Sequence, residues 1–338
     1  MNNSTIFVYG SELQGDGVVS SDNVTLGLMM CSLAALGVLL GGVNLYYIKT
    51  VNIFHNAFGW FWASRTVGEM IVEFSHATYN GPVTALQPRH IPPMMGMVPY
   101  VIFYIGALSS CMMHMILAVN RNIAVLVPLH YGNIFSKRNN LFIVAISWIV
   151  PIVSSPLLLV IPCNLVGYSP QQYTYIFVKC HEGQERDFSY MGSTINYMCL
   201  TTCSFTTLVD ITTLIKILYL RVFDLKCEHT DDLTFKRTVR FFKQSGLQNV
   251  FMLGSLALFV HQNYKNIPKD QISQLQKVLN LTEMFSLLIL HIANPLALII
   301  FNPEVRGRVF RKSTVYATQS AYITTSTKDT AQNSIQKQ

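Results

Sequence analysis

Residues 97 to 119 read MVPYVIFYIGALSSCMMHMILAV, a run of 23 residues without Asp, Glu, Lys or Arg. A helix rises about 1.5 Å per residue, so a run of this length reaches across the hydrocarbon core of a bilayer. Backbone polar groups find no water in lipid, and a helix satisfies them within the segment. The stretch therefore predicts a transmembrane helix.

Six more apolar segments flank this run, and stretches rich in Pro, Gly, Asn or charge, such as Asn80-Gly81-Pro82, separate them. The seven predicted spans cover residues 24–48, 56–79, 97–119, 141–161, 192–220, 247–264 and 278–301. The predicted fold class is an all-α membrane protein, a seven-transmembrane helix bundle.

The composition agrees with a chain that lies mostly in lipid. Hydrophobic residues make up 51% of the 338 residues and charged residues 12%, whereas soluble domains carry about 25% charged residues. The net charge of +7 is spread between apolar blocks, so it indicates membrane topology rather than nucleic acid. Membrane lipid is the expected partner, and nucleic acid is not.

The Lys and Arg residues predict the orientation, because they concentrate on the cytoplasmic side. With the N-terminus outside, 17 of the 24 fall inside, 6 outside, and Arg65 within a span. The predicted organisation is an extracellular N-terminus over 1–23, a seven-transmembrane domain over 24–301, a short amphipathic helix over 302–312 and a disordered cytoplasmic tail over 313–338. Asn2 and Asn3 begin Asn-x-Ser/Thr tripeptides and are the glycosylation candidates.

Short motifs follow the spans in a fixed order. The third span is followed by NRN at 120–122, and PLHY at 128–131 begins seven residues after Arg121. The seventh span contains NP at 294–295. This order and spacing resemble the rhodopsin-like receptors, in which an Arg stands at the cytoplasmic end of helix three.

More narrowly, residues 25 to 311 resemble the nematode chemosensory receptors called serpentine receptor class x. The cues are NAFG at 56–59, SR at 64–65, NRN with PLHY, two cysteines in the second outer loop and FFKQ at 241–244. The resemblance implies a G-protein-coupled chemoreceptor for a small-molecule or pheromone-like ligand, with a heterotrimeric G protein as partner. It also implies a multi-pass plasma-membrane location, with the sensory cilium as one candidate.

The resemblance further implies that seven residues serve G-protein coupling and switching: Asn120, Arg121, Asn122, Pro128, Tyr131, Asn294 and Pro295. Two interpretations of Arg121 are open here, an anchor reaching the water interface or a switch that contacts the G protein when helix six moves. No acid occurs at 236–240, so an ion pair from Arg121 to helix six is not expected. We expect Arg121→Ala to fold, because this helix end borders water.

Polar side chains within the spans form a second group of candidates. Arg65, Glu69 and Glu73 follow at i, i+4 and i+8 on one helix face, and charges in lipid normally face the bundle interior. Arg65 and Glu69 can pair along the helix, either as a structural pair or as part of a polar relay. Glu73 is expected to reach water, and His114 is interpreted as a hydrogen-bonded structural residue.

Side chains in the outer third of the bundle are the ligand-pocket candidates, although aromatic residues at helical spacing also serve as packing. The candidates are Tyr100, Phe103, Tyr104, Asn196, Tyr197, Phe259 and Glu283. Amine receptors of the resembling superfamily carry an Asp where this chain has Phe103, which argues against a biogenic-amine ligand. Leu288 stands where opsins carry the retinal-binding Lys, which disfavours a light sensor.

The chain has seven cysteines, and two of them, Cys163 and Cys180, fall in the second outer loop. This loop faces the oxidising compartment, so we predict a disulfide between them. The others are expected to be reduced, either as small apolar residues within spans or in the cytoplasm.

Two rival classes remain, a membrane enzyme and a transporter or channel. A transporter or channel would call for repeats, helix breaks at the midplane or rings of acids. A nucleophile elbow, a HExxH motif and a CxxC motif are absent from the sequence. We therefore expect no enzyme, metal site or cofactor, and a transporter or channel is kept as the alternative.

Overall fold

The computed structural model describes residues 7–223, 245–246, 248–250, 252–254, 257 and 274–309. The helices are α1 (Ser21–Thr50), α2 (Ala57–Ser75), α3 (Gly81–Leu86), α4 (Pro93–Leu126), α5 (Tyr131–Ile134), α6 (Lys137–Ser154), α7 (Leu157–Val160), α8 (Tyr190–Phe223), α9 (Gln274–Phe301) and α10 (Pro303–Val309). The described residues from 245 to 257 are also helical, and we call them the 245–257 segment.

Within the described residues, five helical stretches are long and apolar enough to cross a membrane: Ser21–Thr50, Pro93–Leu126, Lys137–Val160, Tyr190–Tyr219 and Gln274–Phe301. They correspond to the first, third, fourth, fifth and seventh predicted spans. The second predicted span is α2, which carries three buried charged residues. Most of the sixth, over 247–264, lies outside the described residues. The helices support the predicted all-α membrane fold.

Side-chain caps begin α1 and α2 where the sequence changes from polar to apolar. Ser20 accepts a hydrogen bond from the backbone N–H of Asn23 (3.1 Å), and Asn56 accepts one from Gly59 (3.1 Å). Each cap satisfies an amide group that the first helical turn would leave unpaired. The second span therefore begins at the residue where the sequence predicts it.

The outer end of α2 differs from the prediction. The sequence predicts that Asn80-Gly81-Pro82 separates two spans, but a π-helical turn over His76–Asn80 leads directly into α3. Pro82 lies in the first turn of α3, where a missing N–H breaks no intrahelical bond. The helical path ends only at Gln87, which has a left-handed backbone conformation (φ 46°).

A two-stranded hairpin, which the sequence analysis did not predict, lies between α7 and α8. Strand β1 (Val166–Ser169) pairs antiparallel with β2 (Thr174–Phe177), in a register that opposes Ser169 to Thr174. Most of its residues are buried against the outer end of the bundle. We call this hairpin the roof.

The predicted disulfide between Cys163 and Cys180 is confirmed, and it joins the two ends of the roof. Their Cα atoms lie 5.4 Å apart, with 17 residues of sequence separation. A cross-link that closes a loop of this length stabilises a fold by about 3 kcal/mol. Four of the remaining cysteines, Cys31, Cys111, Cys199 and Cys203, are free thiols within spans, and Cys227 lies outside the described residues.

Two glycines set the distance between α2 and α4. A Cβ atom on Gly68 would lie 2.8 Å from the carbonyl oxygen of Gly106, and one on Gly106 would lie 2.7 Å from that of Gly68. The helices therefore touch backbone to backbone, as small residues allow in membrane bundles. This close approach brings Arg65 of α2 within reach of His114 of α4.

The short helix after the last span also forms. Asn302 begins it, because its side chain accepts hydrogen bonds from the backbone N–H groups of Glu304 (3.0 Å) and Val305 (3.2 Å). The helix is described as α10, Pro303–Val309, and residues 310–312 of the predicted segment lie outside the described residues. The predicted tail over 313–338 lies outside them as well.

Candidate functional site

A cavity lies in the outer half of the bundle, beneath the roof. Five of the predicted pocket residues line it: Tyr100, Phe103, Tyr104, Asn196 and Glu283. Most of the wall of the cavity is apolar. Cavities of this kind, with few polar groups in an apolar wall, are typical of small-molecule sites.

Two of the predicted pocket residues are not found in this wall. Tyr197 does not line the cavity and is 40% exposed, because it follows Asn196 by one residue and so points about 100° away around α8. Phe259 lies outside the described residues. The ligand-binding role of the lining residues stays a prediction.

The aromatic part of the wall continues into the roof. The ring of Tyr175, on β2, lies 4.8 Å from the rings of both Tyr100 and Phe103, measured between centroids. Tyr175 also accepts a hydrogen bond from Asn80 (2.7 Å). Burial raises the pKa of the Tyr175 hydroxyl well above its ordinary value, so the group stays neutral. The roof therefore supplies one wall of the cavity.

Hydrogen bonds hold the turn of the roof to three parts of the bundle. The pairs are Tyr173 to Asn23 of α1 (2.6 Å), Gln87 to the Pro170 carbonyl (2.9 Å) and Asn280 of α9 to the Gln172 carbonyl (2.7 Å). A fourth pair joins the hydroxyl groups of Thr84 and Tyr168 (2.6 Å). Together they fix the roof over the cavity.

Two titratable side chains of α9, Glu283 and His291, line the cavity. Glu283 is 2% exposed, and its Oε2 has no hydrogen-bond partner. The Nδ1 of His291 is likewise buried without a partner. The thiols of Cys111 and Cys199 also line the wall. The cavity thus combines aromatic rings with polar atoms that have no partner among the described residues.

The inner end of the bundle is built around Arg121. Its guanidinium forms an ion pair with Asp210 of α8 (2.8 Å) and donates to the hydroxyl of Ser245 (2.8 Å). The side chains of Arg121 and Asp210 are 12% and 7% exposed. The side chain therefore turns into the bundle to reach the acid, although the last turn of the helix, with Ala124 and Leu126, is exposed.

Four of the other coupling candidates lie at the same inner end of the bundle. Asn120, where many rhodopsin-like receptors have an acid, is buried and donates to the hydroxyl of Tyr131 (3.0 Å). Asn122 donates to Thr213 of α8 (2.7 Å). Pro128 begins a 3₁₀ turn, Pro128–His130, that leads into α5. The NRN and PLHY motifs are therefore in contact with each other.

A buried polar network connects the middle of the bundle to this inner end. The predicted pair of Arg65 and Glu69 is present (2.8 Å), and Arg65 also contacts His114 (2.7 Å) and Gln248 (3.0 Å). Asn294 donates to Glu69, one residue before Pro295 within α9. The Arg65–Glu69 pair is therefore one part of a larger polar network, and both interpretations of it stay open.

The network continues from His114 to Arg121 through the 245–257 segment. His114 Nε2 contacts Asn249 (2.6 Å), and Asn249 donates to Asp210 (3.0 Å), which also accepts from Ser245. Because Arg65 can only donate to Nδ1, the neutral His114 ring carries its proton on Nε2. Each hydrogen bond of this network thereby has a defined donor and a defined acceptor.

The structure corrects one further expectation and adds residues that the sequence analysis did not single out as a group. Glu73 does not reach water: it is 1% exposed, and neither carboxyl oxygen has a partner. Ser245, Gln248, Asn249 and Asp210 join the site. The sequence indicates the pairing of Asp210 with Arg121 by charge, because a single acid and a single Arg in neighbouring apolar helices favour an ion pair.

Within the described residues, no group of three or more His, Cys, Asp or Glu side chains is placed to hold a metal ion. Asn2, Asn3 and the basic run at 236–240 lie outside those residues. The inward ion pair of Arg121 differs from the contacts of an anchor side chain that reaches the water interface.

Comparison with known proteins gives the family. A search of curated proteins finds no match. A family model described as serpentine type 7TM GPCR chemoreceptor Srx matches residues 32–302, from the first half of α1 to the end of α9. The match confirms the predicted seven-transmembrane fold class. The chain belongs to the Srx family of serpentine seven-transmembrane G-protein-coupled chemoreceptors.

Proposed function

We propose that the chain is a cell-surface chemoreceptor that binds an external small-molecule or pheromone-like ligand in the outer cavity. Binding activates a heterotrimeric G protein through Arg121 and the inner loops. The N-terminus is extracellular and the C-terminus cytoplasmic in the plasma membrane. Members of the family are receptors, and catalysis has no part in this proposal.

One observation carries the proposal: the polar network starts directly below the cavity and ends at Arg121. Cys111 lines the cavity, and His114 follows it by one helical turn on α4. His291 lines it as well, and Asn294 follows by one turn on α9. A change in the cavity wall therefore acts on the network through adjacent turns of two rigid helices.

The 245–257 segment is the element whose position the network controls. Three of its residues, Ser245, Gln248 and Asn249, make hydrogen bonds to Arg121, Arg65, His114 and Asp210. Movement of this segment away from α4 has to break these bonds. A ligand shifts this equilibrium only if it binds the moved state better than the resting state. Arg121, once released from Asp210, is free to contact the G protein.

The charge distribution supports the orientation, since 17 Lys and Arg residues fall on the proposed inner side and 6 on the outer side. Epitope tags at the two termini, stained in intact and in permeabilised cells, test it. We expect the N-terminal tag to be stained in intact cells and the C-terminal tag only after permeabilisation. An N-terminal tag that needs permeabilisation contradicts the topology.

Ligand-stimulated nucleotide exchange tests the function. Purified receptor in lipid nanodiscs is combined with a heterotrimeric G protein, and a chemical panel is screened for accelerated GDP release. A matched pair of variants assigns the site: Asn196→Leu changes the cavity wall, whereas Tyr197→Ala changes the neighbouring residue that faces away. We expect only Asn196→Leu to weaken the response. Uptake of the compounds without exchange would favour the transporter or channel alternative.

A further inference from the structure

Glu283 differs from the other carboxyl groups that face the bundle interior. Glu69 is bound by Arg65 and Asn294, and Asp210 by Arg121. Glu283 is as deeply buried as these, but among the described residues its Oε2 has no partner, and it lines the cavity. A buried carboxylate without a hydrogen-bonding counter-charge is costly. The cavity is where such a counter-charge can enter.

The described part of the cavity wall offers no Lys or Arg side chain as a counter-charge. Among the lining residues that the structure describes, none is Lys or Arg, and His291 is the other titratable group besides tyrosine and cysteine. His291 stands eight residues after Glu283 on α9, about 12 Å along the helix axis. A ligand that pairs with Glu283 has to bring its own positive charge or its own N–H donor.

The cavity that Glu283 lines suits a cation for a second, independent reason. Four aromatic rings lie together there, those of Tyr100, Phe103, Tyr104 and Tyr175, with centroids of the closest pairs 4.8 to 4.9 Å apart. The face of an aromatic ring attracts an ammonium group by its quadrupole, most strongly where water is excluded. Clusters of rings are a known way to hold alkylammonium groups.

We propose, resting on the proposed function, that the ligand is an organic amine whose ammonium group pairs with Glu283 among these four rings while its apolar body fills the cavity. Amine receptors carry an acid on the third span at the position where this chain has Phe103. Here Glu283 supplies an acid from α9 instead. The argument against a biogenic amine therefore concerns only one wall of the cavity.

Glu73 is the matched control. It is also a buried glutamate of the outer half, and both of its carboxyl oxygens are without a partner. It faces α1, where a Cβ on Gly37 would lie 2.8 Å from its Cγ, and it does not line the cavity. Glu73→Gln and Glu283→Gln thus remove the same charge from two places, and only one of them is open to a ligand.

The test measures binding apart from signalling. Purified receptor in nanodiscs is heated with primary alkylamines of about four to ten carbons, or with the alcohols of the same length, and the unfolding temperature is recorded. We expect amines to raise it at concentrations at least about tenfold lower than the alcohols, the size expected for one charged hydrogen bond. Glu283→Gln should abolish this preference, while Glu73→Gln and the shortened carboxylate in Glu283→Asp keep it.

The inference is overturned if amines and alcohols act equally on the unmodified receptor, if no amine acts, or if Glu283→Gln keeps the preference. Nucleotide exchange with the same compounds separates the two proposals. Exchange that alcohols stimulate and amines do not contradicts the amine inference and leaves the proposed function intact. Amine binding without exchange contradicts the proposed function and leaves the amine inference intact.

Discussion

Two buried carboxyl groups, Glu283 in the outer half and Asp210 in the inner half, have opposite surroundings. Asp210 accepts hydrogen bonds from Arg121, Ser245 and Asn249, whereas Oε2 of Glu283 accepts none from the residues that the structure describes. The hydrogen bonds of Asp210 therefore hold the inner half in its resting arrangement and have to break on activation. In the outer half, Glu283 leaves an acceptor atom to which an external molecule can bind. This difference gives the two halves separate parts in a receptor, recognition outside and restraint inside.

The largest effect on stability is expected when one partner of the ion pair between Arg121 and Asp210 is removed. Arg121→Ala leaves Asp210 as a buried acid without its counter-charge, which costs about 3–5 kcal/mol. We expect a markedly lower unfolding temperature of the purified receptor and reduced surface expression. Arg121→Ala combined with Asp210→Asn should recover much of the loss, because the neutral amide is cheaper to bury.

The exposed Arg138 provides the control for this comparison. Arg138→Ala should change the free energy of unfolding by less than about 0.5 kcal/mol. If Arg121→Ala is as mild as Arg138→Ala, the ion pair carries no stability, and the contrast between the two halves is lost.

The next largest effect on stability is expected when the disulfide of the roof is removed. Replacing both Cys163 and Cys180 with Ser removes the cross-link that joins the ends of the hairpin. We expect the free energy of unfolding to fall by about 3 kcal/mol, because the unfolded chain gains the freedom of an open loop. Thermal unfolding with and without reductant measures it. An unchanged midpoint in the double variant would show that the four hydrogen bonds of the roof suffice alone.

The smallest effect on stability is expected for Glu283→Gln. This variant separates the outer carboxyl group from the inner one, Asp210, most clearly. Glu283→Gln breaks no hydrogen bond at Oε2 and buries a neutral group in place of an acid, so stability should stay unchanged or rise. Asp210→Asn, by contrast, should lower it, because Arg121 loses its counter-charge. A loss above about 1 kcal/mol in Glu283→Gln would reveal a partner within the protein, since one hydrogen bond contributes about that much.

The sequence predicts those features that depend on residues close in the chain or on the compartment. Span positions follow from uninterrupted apolar runs, the Arg65–Glu69 pair from i, i+4 spacing, and the disulfide from two cysteines in one outer loop. The cavity wall over Tyr100, Phe103 and Tyr104 follows from the inward face of α4.

Features that depend on how the helices are rotated against each other could not be predicted. Arg121 and Asp210 are 89 residues apart, and nothing local fixes the face that each helix turns inward. Glu73 was expected in water because it lies near the outer end of its span, but the π turn and α3 extend that span beyond it. The strands of the roof are four residues each, too short for a clear alternating pattern.

Basal nucleotide exchange of Asp210→Asn tests the central claim most directly, because it frees Arg121 without removing it. Loss of a charged hydrogen bond shifts an equilibrium by about tenfold or more, so Asp210→Asn should raise ligand-independent GDP release well above that of the unmodified receptor. Adding Arg121→Ala to Asp210→Asn should abolish this release at equal receptor density. Unchanged basal exchange in Asp210→Asn, or full exchange in the double variant, would contradict the restraint of Arg121 by the inner network.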